Sequence, residues 1–424
     1  MKTDILIVGC GVAGLYCALN LPEEKGIVIV TKNDAPKSDS FLAQGGICVL
    51  RDENDYDAFY EDTMRAGHYE NNPESVDIMI RSSREVIEDL VSFGVRFEKN
   101  GEEFLYTREG AHSKPRILFH EDETGKEITS HLLEIARKRK NITLIENYTM
   151  VDLISEGNEC HGIIGHDADG RYSAIRADYT VWATGGIGGL FKHSTNYRHL
   201  TGDALALALK YGIKLQHIDY IQIHPTTLYT GKNGREFLIS ESVRGEGAIL
   251  LNSKGERFVN ELLPRDVVAN AIFDEMKKEG SEHVWLSMKP IPEEEIKTHF
   301  PNIYQHCLDE GYDVTKESIP VVPSQHYFMG GVDVDRYSKT SMERLYAAGE
   351  TACNGVHGKN RLASNSLLES LVFARRAAQH MIKGYSAIAD SEEPIIDEAK
   401  YANYKEEYKQ AVLAAIEKEK NSHE

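Results

Sequence analysis

Side chains that could bind a small anion are concentrated in five short clusters that lie far apart in the sequence. Arginine suits this chemistry because its planar, permanently charged group can hold a carboxylate at two points. The clusters are residues 38–46, 107–113, 222–226 with the following segments 240–247 and 264–266, 324–331, and 358–369. Taken singly, each resembles a surface loop or a set of structural residues. Together they have the composition of one site.

The elements that must position these clusters begin at the N-terminus. An apolar run at 4–8 leads into Gly9-Cys-Gly-Val-Ala-Gly14, and a helical pattern and a β-branched run at 27–31 follow. Strand, glycine turn, helix and strand form the context that a dinucleotide-binding fingerprint requires. The first glycine permits the turn, the second admits a pyrophosphate, and the third lets helix and strand pack closely. The helix N-terminus then faces the phosphates.

One part of this fingerprint is missing. An acidic residue that binds the ribose should close the second strand, but Thr31 and Lys32 stand there. A threonine hydroxyl bonds a ribose hydroxyl less strongly than a carboxylate does. The sequence therefore leaves the mode of ribose recognition open.

Further short strands are predicted at 142–154, 160–166, 178–186 and 344–350, the last two ending in glycine turns. The spacing Ser366-Leu-Leu-Glu369 is that of a capping box, which predicts the start of a helix. Proline-rich, mixed sequence lies between these β/α segments.

These patterns predict an α/β protein with a Rossmann-like cofactor domain, an inserted α+β capping domain and a short C-terminal helical tail. The predicted boundaries are 1–218 with 328–384 for the first, 219–327 for the second and 385–424 for the third. We expect the ligand to lie between the first two, since domain interfaces are common ligand sites.

Composition excludes several functions. The chain has 48 basic and 67 acidic residues and a formal net charge of -19, which is unlike a nucleic-acid-binding surface. No apolar run reaches the ~18 residues that a membrane span needs, and a cytoplasmic protein is expected. The six cysteines form no C-x-x-C pair, so reduced structural thiols and no metal site are expected.

The ordered motifs H-P-T, S-E-x-x-R-G-E-G, P-R-D, H-Y-x-x-G-G-V and N-R-L-A-S-N-S-L-L-E, behind G-x-G-x-x-G, resemble the succinate dehydrogenase/fumarate reductase flavoprotein superfamily over residues 1–384. The resemblance implies that FAD is the cofactor. The residues that it places on FAD are Gly9, Gly11, Val12, Ala13, Gly14, Thr31, Lys32, Ser38, Ser40, Ala43, Gln44, Gly45, Gly46, Ala183, Thr184, Gly185, Gly186, Asp203, Gly349, Glu350, Asn365, Ser366 and Leu367.

Within the superfamily, T-R-E-G-A-H-S followed by Arg116 resembles the members that oxidise L-aspartate. This implies iminoaspartate as the product, O2 or fumarate as the electron acceptor, with succinate formed from the latter. It also implies a functional link to quinolinate synthase in the first step of de novo NAD biosynthesis. Better-known members continue for roughly a hundred residues as a helical bundle, so this chain is expected to carry a truncated form of that region.

Two positions separate the members of the superfamily. Asp39 stands where succinate dehydrogenases carry the histidine that is linked to the flavin, so FAD is expected to bind non-covalently. Glu109 stands where enzymes specific for dicarboxylates have an apolar residue. A carboxylate at that position matches the ammonium that distinguishes aspartate from succinate.

The resemblance also implies roles for the remaining candidates. Arg361 and His326 would fix one substrate carboxylate and His224 with Ser240 the other, while Arg265 would transfer a proton in the fumarate direction. The expected catalytic residues are therefore Arg265, His224, His326, Arg361 and Glu109, and the expected substrate-binding residues are Gln222, Ser240, Glu241 and Arg244. Two alternatives remain open: a soluble fumarate reductase or succinate dehydrogenase-type flavoprotein, and a flavin-binding sensor or scaffold without turnover.

Overall fold

The computed structural model describes residues 1–232, 234–389 and 393–422. Its helices are α1 (Val12–Leu19), α2 (Tyr56–Ala66), α3 (Pro73–Ser92), α4 (Thr124–Lys138), α5 (Asp203–Tyr211), α6 (Glu241–Gly245), α7 (Arg265–Glu279), α8 (Glu293–His299), α9 (Pro301–Asp309), α10 (Asn365–Lys383) and α11 (Tyr404–Ser422). Its strands are β1 (Lys2–Val8), β2 (Ile27–Thr31), β3 (Ile47–Cys48), β4 (Lys99–Asn100), β5 (Glu103–Phe104), β6 (Ile117–Leu118), β7 (Ile142–Glu146), β8 (Thr149–Glu156), β9 (Glu159–His166), β10 (Tyr172–Trp182), β11 (Leu215–Gln216), β12 (Ile221–Leu228), β13 (Phe237–Leu238), β14 (Ile249–Leu251), β15 (Val284–Ser287), β16 (Ile319–Phe328), β17 (Gly331–Asp333), β18 (Leu345–Ala347) and β19 (Ala352–Cys353).

A seven-stranded sheet carries the glycine turn. Its order is β7-β2-β1-β10-β9-β8, with β18 also paired to β10. Strands β7, β2, β1, β10 and β18 are parallel, and β9 and β8 continue as an antiparallel edge. The apolar run Ile5–Val8 is buried on both faces, as is typical of a central parallel strand. The predicted Rossmann-like class is confirmed.

Two local predictions are wrong. The run 142–154 forms two strands, because Asn147 adopts a left-handed φ of 57° and turns the chain between β7 and β8. Helix α10 begins at Asn365, so Ser366 lies inside the helix and does not cap it. The Ser366 hydroxyl instead accepts a hydrogen bond from Arg361, and Glu369 accepts one from Asn354.

A second, antiparallel sheet lies within residues 221–328. Its order is β13-β12-β16-β15-β14, and it has its own apolar core with α7. The register of β12 against β16 shifts between His224 and Thr227, where Pro225 cannot donate a ladder hydrogen bond. Such irregularities redirect side chains beside functional sites. The predicted boundaries of a capping domain at 219–327 remain a prediction.

Asp122 connects the two bodies. Its carboxylate accepts hydrogen bonds from the backbone N–H groups of Asn302 (3.3 Å) and Ile303 (2.8 Å), in the first turn of α9. A carboxylate at a helix N-terminus is favourable because the amides there lack partners within the helix. One body therefore caps a helix of the other.

The C-terminal residues dock on the antiparallel edge of the first sheet. Buried Asp152 on β8 accepts hydrogen bonds from Lys210 (2.8 Å), the Tyr211 hydroxyl (2.7 Å) and the Tyr401 hydroxyl (3.0 Å). Helix α11 then packs on α5 through Val412. The sequence predicts a helical tail over residues 385–424. Within that range, residues 390–392, 423 and 424 lie outside the described part of the chain. Within the described ranges, no helix combines the length and the apolar character needed to cross a membrane.

Replacing Asp152 by Ala should lower the free energy of unfolding by about 2 kcal/mol or more, because the buried Tyr401 hydroxyl loses its acceptor and the Tyr211 hydroxyl loses its shorter hydrogen bond. Urea unfolding would measure this, and limited proteolysis should show earlier cleavage after residue 385. Asp274→Ala, at an exposed position on α7, is the control and should change stability little. Equal stability of both variants would contradict the assigned role of Asp152.

Candidate active site

One long cavity runs from the glycine turn of the first sheet to the second sheet. Twenty of the predicted cofactor residues line one part of it: Gly9, Gly11, Val12, Ala13, Thr31, Lys32, Ser38, Ser40, Ala43, Gln44, Gly45, Gly46, Ala183, Thr184, Gly185, Asp203, Gly349, Glu350, Ser366 and Leu367. Seven of the predicted catalytic or substrate residues line the other part: Glu109, His224, Ser240, Glu241, Arg265, His326 and Arg361. The fold thus brings together clusters that are up to about 350 residues apart in the sequence.

Five predicted residues lie behind the cavity wall. Gly14 and Gly186 provide close packing, since a Cβ there would lie 2.1 Å from the Gly9 oxygen or 2.3 Å from a Glu350 carboxylate oxygen respectively. The Asn365 side chain turns away and donates to Thr63 of α2 (3.2 Å). The other two, Gln222 and Arg244, contact residues that do line the cavity.

The glycine turn is held in a form that only glycine allows. Gly9 has a φ of +118°, and a Cβ there would lie 1.9 Å from the Ala183 oxygen. Gly11 caps α1 without a side chain, and the Val12 N–H donates to the Ser40 hydroxyl (3.1 Å). Ser40 therefore satisfies one amide of α1 from a neighbouring loop, and the next residue of the first turn, Ala13, lines the cavity.

Lys32, which follows the second strand where an acidic residue is expected, is paired with two side chains of a distant segment. Its ammonium donates to Asp203 (2.9 Å) and to Thr201 (2.9 Å), and all three residues line the cavity. The first turn of α5 thus places a carboxylate beside Lys32. This juxtaposition makes Asp203 the candidate acceptor for the ribose hydroxyls.

At the other end of the cavity, buried Arg265 lies in a network of paired groups. Its Nε donates to Glu241 (2.5 Å) and its Nη1 donates to Gln222 (2.9 Å). Gln222 in turn donates to the Arg361 carbonyl (2.8 Å), and Arg244 lies 3.5 Å from Glu241. The two arginines hold the pKa of Glu241 below its usual value despite burial.

Arg361 is positioned with part of its guanidinium group left open. It donates to Ser366 (2.9 Å), and its guanidinium carbon lies 4.4 Å from the Tyr327 ring centroid. Its Nε is buried and has no hydrogen-bond partner among the described residues. Burial, together with the nearby charge of Arg265, lowers the pKa of Arg361 to about 10, so it stays charged at neutral pH.

The two histidines of the site are neutral. Burial lowers the pKa of His224 and of His326 well below the usual value, and the charge of Arg265 adds to the effect. The Thr226 N–H donates to His224 Nδ1 (3.2 Å), which places the proton of His224 on Nε2. That Nε2 is buried without a partner in the described structure. Thr195 lies 2.7 Å from His326 Nδ1 and orients its ring.

Glu109 is buried and hydrogen-bonded at both carboxylate oxygens. Ser242 donates to Oε1 (3.1 Å) and Ser364 donates to Oε2 (2.5 Å). Burial raises the pKa of Glu109 and nearby Glu241 raises it further, while Arg265 and the two serines oppose this. A Cβ on Gly45 would lie 2.2 Å from Oε1, so that glycine leaves room for the carboxylate.

Ion pairs and hydrogen bonds around Arg116 hold the loop that carries Glu109 in place. This fully buried guanidinium group pairs with Asp55 (3.0 Å) and Asp62 (2.7 Å), and Asp62 also accepts from the Ser113 N–H (2.7 Å). Buried charges need such complete pairing. His112 contacts the Ala363 carbonyl (3.0 Å) and ties this loop to the loop before α10.

The residues that line the cavity fit a flavin dinucleotide together with a small polar ligand. Buried polar atoms without a partner occur along its wall among the described residues: Ser38 Oγ and Gln44 Oε1 in the cofactor part, and His224 Nε2 and Arg361 Nε in the other part. Buried polar atoms are normally hydrogen-bonded, so these four atoms of the cavity wall are candidate contacts for bound ligands. Asp39 also lines the cavity and accepts from the Tyr197 N–H (2.9 Å). Burial raises the pKa of Asp39 to about 7.

Several residues of the site have no clear signal in the sequence. Ser242 and Ser364 lie inside clusters that the sequence singles out, but nothing there shows that both face Glu109. Thr195 lies outside the clusters that the sequence singles out, and Thr201 is not predicted although it lies two residues before Asp203. Their proximity to His326 and Lys32 depends on the tertiary fold. In the described part of the chain, no group of three or more His, Cys, Asp and Glu side chains could hold a metal ion.

Comparison with known proteins agrees with this geometry. Residues 4–367 match the family described as FAD binding domain. The chain is 51% identical to the L-aspartate oxidase of Clostridium perfringens, over 93% of this chain and 89% of that protein. It is 50% identical to the L-aspartate oxidase of Clostridium acetobutylicum, with 92% and 91% covered.

Solved structures share the fold. The FrdA subunit of E. coli quinol fumarate reductase superposes with a TM-score of 0.87 at 28% identity, covering 97% of this chain and 74% of that one. A flavocytochrome c3 fumarate reductase in an open conformation gives a TM-score of 0.71 at 25% identity, with 90% and 78% covered.

The fold, the glycine turn and the family match define the class: this is a flavoprotein with FAD as its cofactor. Within that class, the chain belongs to the L-aspartate oxidase family.

Acid or heat precipitation should release FAD intact into the supernatant, because a carboxylate at residue 39 replaces the imidazole that forms a covalent link in the resembling dehydrogenases. Absorbance of supernatant and pellet would measure the distribution of the flavin. A pellet that stays yellow after extensive washing would contradict non-covalent binding.

Proposed function

We propose that the protein oxidises L-aspartate to iminoaspartate and passes the electrons to O2 or to fumarate, as the first step of de novo NAD biosynthesis. Glu109 carries this proposal: a buried carboxylate that is placed opposite two arginines in one cavity. A ligand with two carboxylates and one ammonium matches both signs of charge. Bound FAD supplies the two-electron acceptor for the hydride that leaves Cα.

The charge of the site favours aspartate over succinate. Three buried guanidinium groups, those of Arg244, Arg265 and Arg361, face the carboxylates of Glu109 and Glu241, so the protein contributes one net positive charge. Aspartate carries one net negative charge and neutralises the site, while succinate carries two. With succinate bound, the Glu109 carboxylate would also lack the ammonium group as a hydrogen-bonded partner, which is costly for a buried charge.

The two substrate carboxylates are held by groups from both bodies. Arg361 offers its free Nε, and Arg265 offers the part of its guanidinium group not used by Glu241 and Gln222. His224 contributes an Nε2–H donor. If Thr195 donates to Nδ1 of His326, that ring also presents an Nε2–H donor. Neutral donors suffice here because the arginines already supply the positive charge.

Glu109 then acts on the amino group. Its raised pKa makes it a better proton acceptor than an exposed glutamate, so it takes a proton from the substrate ammonium as Cα loses its hydride. The two protons and two electrons that leave the substrate are thereby accounted for. Helix α10 points its N-terminus at the cavity through Ser366 and Leu367, where its dipole stabilises negative charge.

In the fumarate direction, the chain Arg244–Glu241–Arg265 can deliver a proton to the ligand. The distances along it are 3.5 Å and 2.5 Å, and Glu241 keeps its pKa low between two cations. A buried carboxylate between two guanidinium groups stabilises the charge changes that proton movement requires. A carboxylate between two guanidinium groups is the environment that Arg265 needs in order to transfer a proton.

A fumarate reductase without aspartate oxidation is the second candidate, favoured by the TM-score of 0.87 to the FrdA subunit. Glu109 argues against it for the reason of charge given above. Supply of iminoaspartate to quinolinate synthase and a cytoplasmic location belong to the same proposal. A coupled assay with quinolinate synthase and cell fractionation would test them.

Anaerobic addition of L-aspartate should bleach the flavin absorbance of the purified protein near 450 nm, because the substrate donates two electrons to bound FAD. Fumarate added afterwards should restore the colour. Bleaching by succinate alone would identify the second candidate function, and no bleaching by either would favour a non-catalytic flavin-binding protein.

Replacing Glu109 by Gln should raise KM for L-aspartate by about tenfold or more, because a charge-assisted contact to the ammonium is lost. Fumarate reduction by chemically reduced enzyme should change much less, since the arginines remain. Steady-state kinetics in both directions measure the difference. Glu102→Gln, exposed in the neighbouring hairpin, is the control. Equal loss of both activities would show that Glu109 maintains the pocket as a whole.

A further inference from the structure

The Glu109 carboxylate is held by two serine hydroxyls that come from different bodies of the protein. Ser242 on α6 donates to Oε1, and Ser364, immediately before α10, donates to Oε2. A carboxylate only accepts hydrogen bonds, so both hydroxyl protons are committed to Glu109. Ser240 donates to the Ser242 hydroxyl (3.3 Å), so the hydrogen bonds run from Ser240 through Ser242 to Glu109.

This arrangement leaves acceptor capacity for a cation. An ionised carboxylate offers about four lone-pair sites, and the two serines occupy one on each oxygen. The remaining sites can accept from a substrate ammonium. The serines therefore fix the rotation of the carboxylate without blocking it.

Ser364 has an unfavourable backbone conformation. Its φ is 62° and its ψ is 5°, a left-handed conformation that is uncommon for a residue other than glycine. It is the N-cap of α10, where a serine hydroxyl usually accepts from a helix amide, but no such bond forms here. The hydroxyl points to Glu109 instead.

The neighbouring backbone holds Ser364 in this conformation. The Cys48 N–H donates to the Ser364 carbonyl (3.1 Å), and His112 contacts the preceding Ala363 carbonyl (3.0 Å). Residues kept in sparsely populated conformations persist only where the surroundings enforce them, and they are concentrated at functional sites.

We propose that Ser364 is a specificity-determining positioning residue, whose hydroxyl holds the Glu109 carboxylate ionised and turned towards the substrate amino group. This rests on the proposed oxidation of L-aspartate. Ser364 acts through Glu109 and leaves the dicarboxylate contacts of the arginines untouched. Its loss therefore weakens recognition of the ammonium selectively.

Removal of the Ser364 hydroxyl should change the pH dependence of L-aspartate turnover. Glu109 faces Glu241, Arg244 and Arg265 of the second body, and Arg361 and Cys48 of the first. Burial and Glu241 raise the pKa of Glu109, and the Ser364 hydrogen bond lowers it. Removing that bond raises the pKa further. Without the bond, Glu109 becomes protonated at a higher pH than in the wild type. As the pH falls, the variant therefore loses L-aspartate turnover before the wild type does.

The test compares Ser364→Gly with Ser364→Ala. Both variants lack the hydroxyl, but glycine accepts the left-handed backbone and alanine does not. Both should raise KM for L-aspartate by about tenfold, the effect of one hydrogen bond to a charged group. Both should also move the acid limb of kcat/KM for L-aspartate to higher pH. KM for fumarate should stay near that of the wild type.

Ser338 provides the matched control. It is also a fully buried serine with a left-handed φ of 64°, and its hydroxyl donates to the Phe373 carbonyl (3.1 Å), outside the cavity lining. Ser338→Gly should leave the ratio of the two KM values and the pH profile unchanged. Thermal unfolding of every variant separates loss of structure from loss of recognition.

Two outcomes would overturn the inference. One is a wild-type ratio of KM values and a wild-type pH profile in folded Ser364→Gly; the other is an equal rise of both KM values. Should neither Ser364 variant fold, Ser242→Ala must show the same selective rise for L-aspartate, and its failure to do so overturns the inference as well. A wild-type protein that does not turn over L-aspartate would instead refute the proposed function.

Discussion

The ion pair between Arg265 and Glu241 is the interaction on which the rest of the site depends. Both groups are buried, and a buried charge without a partner would cost several kcal/mol. Arg244 and Gln222 complete the pairing, and Gln222 extends it to the Arg361 carbonyl in the other body. The same contacts that keep these charges stable therefore align the two halves of the cavity.

The charges that remain after this pairing define what the cavity can bind. Arg361 keeps an open Nε, and Glu109 keeps free acceptor sites on both oxygens. The histidines contribute no charge, because burial among arginines keeps their pKa values low, and His224 contributes an Nε2–H donor. In the proposed function, selectivity between an amino dicarboxylate and a plain dicarboxylate depends on this carboxylate and on the hydroxyls that orient it.

Residues from both bodies line the one cavity. The first sheet supplies the glycine turn and the Lys32–Asp203 pair, and the second supplies His224 and Arg265. Asp122 caps α9 across the boundary, and Ser242 reaches across it to Glu109. These hydrogen bonds connect the two bodies in addition to the apolar cluster that Phe328 of β16 forms with Ile187 and Leu205.

The sequence by itself determined the features that are encoded within a few neighbouring residues. The glycine fingerprint, the parallel strands around it and the ordered motifs predicted the fold class and FAD, and residue identity alone placed a carboxylate at 39 and at 109. Only the tertiary structure decided which hydroxyls face Glu109, that Asp203 reaches Lys32, and that both histidines are neutral. The capping-box pattern at Ser366 predicted the wrong helix start. Ser366 lies inside α10, and its hydroxyl accepts a hydrogen bond from Arg361. The physical reason is that periodicity and turn chemistry act over a few residues. Burial, pairing and pKa shifts arise between side chains that are a hundred or more residues apart and meet only once the chain has packed.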